Sequence, residues 1–160
     1  MTRVPYGRFW LSLAVAFLFQ LVEVPDAIAA ARPLWVPLIL LYWALVEPRM
    51  PVFFAAFFSG IALDVVLNSA LGQHAAGFVV LTWFMARLRG VFILFPLWQL
   101  TIALVPAWVG YCFLMSTIDD FSRHRADPML RWLPAFSTTL FWPLVYAVME
   151  SLGRKSSAEE

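Results

Sequence analysis

The chain has 160 residues, of which 62% are hydrophobic, 17% aromatic and 13% charged, with a mean hydropathy of +0.80 and a formal net charge of +1. A soluble domain is about 45–50% apolar and about 25% charged, so this excess excludes a soluble globular fold and leaves one all-α integral membrane domain over 1–160. The near-neutral charge carries no nucleic-acid footprint, and the single cysteine, Cys112, excludes an intrachain disulfide.

The apolar runs predict a bundle of six transmembrane helices, at about 9–24, 34–47, 51–71, 75–88, 91–116 and 132–152. The first follows the basic start MTRVPYGR. A basic start, an apolar run and Ala27-Ile28-Ala29 also fit a secretory signal peptide. The length of the run and the acids Glu23 and Asp26 favour a retained helix.

Arg32-Pro33 leads into the second run, Leu34 to Val46, with Pro37 in its first turn, where a missing amide donor is tolerated. This run rises only about 20 Å, against a hydrocarbon core of about 30 Å. Either it spans by borrowing flanking residues and thinning the bilayer, or it is re-entrant. The turn Glu47-Pro48-Arg49 closes it.

The third run, Pro51 to Gly72, carries one ionisable residue, Asp64, well inside it. Ala56, Gly60, Asp64 and Asn68 recur every four residues and so share nearly one helix face. Ala56 and Gly60 form a small-xxx-small pattern suited to close helix packing. A carboxylate facing lipid costs several kcal/mol, so Asp64 is expected to face protein. It is either a coupling or recognition group, or a structural hydrogen-bonding group towards a neighbouring helix; the second reading is preferred.

The fourth run ends at Arg87-Leu88-Arg89. The fifth contains Pro96 and Pro106, which are expected to bend or divide it. Ser116 to Arg131 is the longest polar stretch, and the tail after Leu152 is expected to fray. With six spans, Arg3, Arg8, Arg49, Arg87, Arg89, Arg154 and Lys155 fall on one side, against Arg32, Arg123, Arg125 and Arg131 on the other. The positive-inside rule then puts both termini in the cytoplasm. Removing the short second span would send Arg87 and Arg89 outside, so the count favours keeping it.

Catalytic signals are missing. His74 and His124 fall in different outer loops, neither at metal-ligand spacing, and no phosphate loop or serine motif with a partner base appears. The expectation is a protein that is not an enzyme and takes no metal or cofactor.

The stretch RPLWVPLILLYWALVEPRM followed by GIALDVVLNSALGQHA resembles the MreD family of rod shape-determining membrane proteins. The residues that carry the resemblance are Arg32, Pro33, Tyr42, Trp43, Pro48, Gly60, Asp64, Leu71 and Gly72. The resemblance implies an inner-membrane component of the bacterial cell-elongation machinery. It would act with the bitopic protein MreC, the actin-like MreB and the RodA–penicillin-binding-protein synthase that builds lateral peptidoglycan. It also implies a six-helix fold similar to the S-components of energy-coupling-factor transporters. Structural or interaction candidates are therefore Asp64, Gly60, Ala56, Asn68, Gly72, Arg32, Pro33, Trp43 and Pro48. Membrane lipids are further expected partners. The alternative is a small-molecule or lipid-binding transport subunit, for which Gln20, Asp64, Gln99 and Thr101 are the polar candidates to line a cavity.

Overall fold

The structure, a computed structural model, describes residues 5–22, 25, 31–121 and 132–158, with the side chains of 119–121 and 154–158 outside that description. Glu23, Asp26, His124 and the basic residues of the 122–131 stretch lie outside the described residues. Among the described residues there are six helices and no strand: α1 Tyr6–Leu21, α2 Trp35–Val46, α3 Val52–Leu67, α4 Gln73–Phe92, α5 Leu97–Phe121 and α6 Leu133–Ala158.

The shortest helix lies at the centre. Every residue of α2 from Val36 to Leu45 is buried. Its sequence, WVPLILLYWALV, has no polar stripe, and a helix apolar all round is stable only when covered all round. α1, α3, α4 and α6 all pack against it, while α5 is held by α4 and α6. The most extensive pairing is the antiparallel hairpin of α3 and α4.

With 12 residues, α2 rises about 18 Å, less than the thickness of a hydrocarbon layer, about 30 Å. Helix ends leave backbone groups unpaired, and hydrocarbon offers no water to satisfy them. Neighbouring helices supply the partners instead. Thr138 Oγ1 on α6 accepts the Leu34 N–H at 3.0 Å, and Gln20 Oε1 on α1 accepts the Trp35 N–H at 2.9 Å. At the other end, Arg89 Nε on α4 donates to the Leu45 carbonyl at 2.6 Å and Nη2 to that of Val46 at 3.4 Å. A guanidinium there also complements the negative end of the helix dipole. Side chains thus leave neither end of this short helix as bare backbone.

The outer surface is apolar. Leu11, Phe19, Phe54, Phe58, Trp98, Phe113, Phe136 and Leu140 are all exposed. Soluble monomers rarely expose apolar patches beyond a few hundred Å². Gln73–Phe92 and Leu97–Ile118 are long and apolar enough to cross a membrane. Both observations point to a membrane protein.

Several helix bounds differ from those expected. The third helix stops at Leu67, because Asn68 takes a left-handed conformation at φ 52° and ψ 36°. The fourth runs past Arg87-Leu88-Arg89 to Phe92, since arginine and leucine are good helix formers and their charges do not end the helix. The fifth begins at Leu97, with the Pro96 carbonyl accepting the Leu100 N–H, and Pro106 lies inside it without dividing it. The sixth continues helically to Ala158, through the start of the tail expected to fray.

Candidate functional site

Asp64 lies in the last turn of α3 and is 1% exposed. Beyond it the chain reverses through two left-handed residues, Asn68 and Gly72, the latter at φ 93°, and α4 begins at Gln73. A φ that far positive suits glycine, which carries no Cβ to clash.

Asp64 acts on both sides of this reversal. Its backbone carbonyl accepts the N–H groups of Asn68 and Ser69, which closes α3. Its carboxylate reaches across to α4. Oδ2 accepts the Gly72 N–H at 2.8 Å, and Oδ1 accepts the His74 N–H at 3.0 Å and the Ser69 hydroxyl at 2.8 Å. Oδ1 also lies 2.7 Å from His74 Nδ1, and an acceptor-only carboxylate assigns the proton to Nδ1. The first turn of a helix offers unpaired donors and a partial positive charge, and here a carboxylate from the preceding helix satisfies both. With a protonated imidazole the contact becomes an ion pair.

Gly60 explains how the carboxylate gets close enough. A Cβ there would stand 2.3 Å from Ala75 Cα and 2.4 Å from its backbone N, closer than any real contact. One turn earlier Ala56 is fully buried. Ala56, Gly60 and Asp64 thus lie on the face of α3 that α4 covers. Asn68 leaves that face, because its left-handed backbone ends the helix and its side chain is exposed.

The other candidates lie elsewhere. Arg32 donates through Nη2 to the carbonyls of Phe19 and Val22, capping the end of α1. The Pro33 carbonyl accepts the Trp35 N–H at 3.1 Å, alongside Gln20. Trp43 is buried on α2, with its indole N–H donating to Ser12 Oγ at 3.0 Å and its ring edge-on to Phe9. Pro48 sits in the exposed turn after α2, beside the Glu47–Arg49 ion pair. Arg32 and Pro33 hold helix ends, Trp43 ties α2 to α1, and these residues do not converge on one cavity. The four polar candidates for a transport cavity are also separate. Gln20 is engaged at the start of α2, Asp64 at the start of α4, Thr101 bonds the Leu97 carbonyl of its own helix, and Gln99 is exposed.

The sequence reading placed His74 in an outer loop and not at metal-ligand spacing; it is instead the second residue of α4 and bonds Asp64. Ser69 and Thr138 were missed altogether, and Arg89, read as a cytoplasmic charge, also bonds the end of α2. The spacing of Asp64 and His74 across a turn ending in Leu-Gly was the one available signal for their pairing.

Asp64, His74 and Ser69 are the residue types of a hydrolytic triad, but not its geometry. In a triad the carboxylate holds one imidazole nitrogen and the serine faces the other. Here Ser69 Oγ donates to the carboxylate and lies 3.4 Å from the same Nδ1. Every group facing the carboxylate is a donor, which makes it a cap and not a base. Among the described residues no cluster of three His, Cys, Asp or Glu could hold a metal ion.

Comparison with known proteins agrees with the stretch from Arg32 to Gly72. The family model for rod shape-determining protein MreD matches residues 1–152. The rod shape-determining protein MreD of Haemophilus influenzae is 31% identical over 144 residues, covering 88% of this chain and 87% of that one. No solved structure matches the chain.

Proposed function

The chain belongs to the MreD family of rod shape-determining proteins, and from that premise we propose that it is a non-enzymatic scaffold of the bacterial cell-elongation complex. The observation that carries the proposal is the family match over residues 1–152, almost the whole chain. In this reading the protein lies in the inner membrane as a six-span bundle, similar to the S-components of energy-coupling-factor transporters. Both termini are cytoplasmic, and the distribution of arginines supports that orientation.

It associates with the transmembrane segment of MreC, in one complex with MreB and the RodA–penicillin-binding-protein synthase, and supports lateral peptidoglycan synthesis and rod shape. Association within a membrane relies on packing and interhelical hydrogen bonds. Because α4 covers the Ala56–Gly60–Asp64 face, that docking falls to another side of the bundle. The engagement of Asp64 by donors on every side favours a structural role over a catalytic one.

The test is co-purification with MreC from detergent-solubilised membranes, alongside complementation of rod shape. Co-elution of MreC with the correctly inserted protein is expected. A correctly inserted protein that never associates with MreC in cells overturns the reading.

A further inference from the structure

A groove of about 620 Å³ runs along one flank of the bundle. α2 forms its floor, with α1 and α6 as its two walls. The volume lies within the usual range of about 300–1,000 Å³ for sites that bind small molecules and cofactors. Its walls are apolar and half open, with Leu11, Val15 and Phe19 on one side and Leu144, Val148 and Leu152 on the other.

Among the described residues, one charged side chain lines it, Arg8, near the start of α1. Arg8 Nη1 reaches across to the carbonyls of Leu152 and Gly153 on α6 at 3.4 and 3.3 Å, closing that end of the groove. These long bonds use only Nη1; among the described residues Nε and Nη2 have no hydrogen-bond acceptor. Glu150, one turn earlier on α6, is exposed and does not line the groove.

The dimensions select the occupant. From Arg8 to Phe19 the helix rises about 16 Å, close to half of a hydrocarbon core about 30 Å thick. The groove therefore has the depth of one leaflet, with a cation at its headgroup end. An acyl chain matches that depth, and an anionic headgroup meets the Arg8 guanidinium at its end. We propose that this groove binds one acyl chain of an anionic phospholipid, whose headgroup phosphate is held by the guanidinium of Arg8. The site is independent of the partner docking proposed above, and it requires only that the chain sit in a bilayer.

The test is native mass spectrometry of the full-length protein in micelles containing equal amounts of phosphatidylglycerol and phosphatidylcholine with matched chains. One basic residue near a membrane surface corresponds to a preference of about fivefold for the anionic lipid. Arg8→Gln is expected to bring the two lipids to parity, while Arg8→Lys keeps most of the preference. Val15→Trp, which fills the groove from a half-exposed wall position, is expected to lower binding of both lipids. Phe54→Trp on the outer face of α3 leaves both unchanged. A melting curve for each variant shows that it is folded. The proposal is overturned if the wild-type protein shows no preference, if folded Arg8→Gln retains it, or if folded Val15→Trp binds lipid normally. Crosslinking from position 15 to a protein helix, with no lipid retained, overturns it equally.

Discussion

Asp64 and His74 are ten residues apart in the chain, on two different helices, and their side chains meet at 2.7 Å. The residue whose backbone carbonyl closes α3 thereby caps α4 with its carboxylate, and the hairpin is held by one residue acting in two directions.

Asp64→Leu removes the acceptor from the Gly72 and His74 N–H groups and the Ser69 hydroxyl together. Several unsatisfied buried donors cost about 3–5 kcal/mol. Asp64→Asn keeps one acceptor oxygen but must point its NH₂ at a donor, so it falls between, at about 1–2 kcal/mol. Melting in detergent is expected to rank wild type above Asn and Asn above Leu, and rod-shape complementation to follow the same order. Equal loss by Asn and Leu would show that acceptor capacity is not what the site needs.

Gly60→Ala drives a methyl into the Ala75 backbone, which cannot rotate away. Separation of α3 from α4 is expected, at a cost of about 1–3 kcal/mol. Gly110→Ala, on α5 with open space around it, serves as the control and should gain stability by about 0.5–1 kcal/mol. Thermal midpoints that shift alike in the two variants would contradict the close approach.

Thr138→Val keeps the shape of the side chain and deletes the acceptor for the Leu34 N–H. An unsatisfied buried amide costs about 1–3 kcal/mol. Arg89→Ala strips the carbonyls of Leu45 and Val46 of their donor and is expected to cost up to about 2 kcal/mol. Amide exchange should rise at the start of α2 in the first variant and at its end in the second. Unchanged exchange in both would mean the caps are idle.

Glu47, in the turn after α2, has its carboxyl held below its ordinary value of 4.5, chiefly by the side-chain hydrogen bond from Arg49. A depressed carboxyl stabilises the fold above its unfolded-state pKa, and that contribution disappears as pH falls through the folded-state value. A carbon-13 titration of Glu47 should therefore show a midpoint below the ordinary one, returning towards it in Arg49→Ala. A midpoint that ignores Arg49 would refute the assigned cause. The pair is at the surface, so the effect on global stability is small.

Hydropathy alone carried the class of fold, because a chain this apolar has few soluble solutions. The close-packing value of Gly60 was legible too, since small residues four apart beside a buried acid mark a tight helix face. The partner of Asp64 was not. The stripe continued by counting to Asn68, yet a left-handed residue breaks the helix there, and the carboxylate finds its donors beyond the turn. The caps of α2 were equally hidden: Gln20, Arg89 and Thr138 are far apart in the chain, and only the packing of α1, α4 and α6 around one helix brings them together. Local pattern identifies what must be buried, but not which distant side chain will satisfy it.

The capping of α2 has a consequence for how the chain is made. Its partners arrive at positions 20, 89 and 138, so a ribosome delivers the last of them long after α2 itself has emerged. A segment that depends on later helices to cover its ends cannot settle at its final depth when first synthesised. With α2 as one of the six proposed spans, its insertion is expected to be a late event in biogenesis, completed when α6 arrives. A cysteine placed at Ile39 should react with a water-soluble thiol reagent in nascent chains stopped before α6 and become protected in the finished protein; protection in the shorter chains would show that α2 inserts unaided.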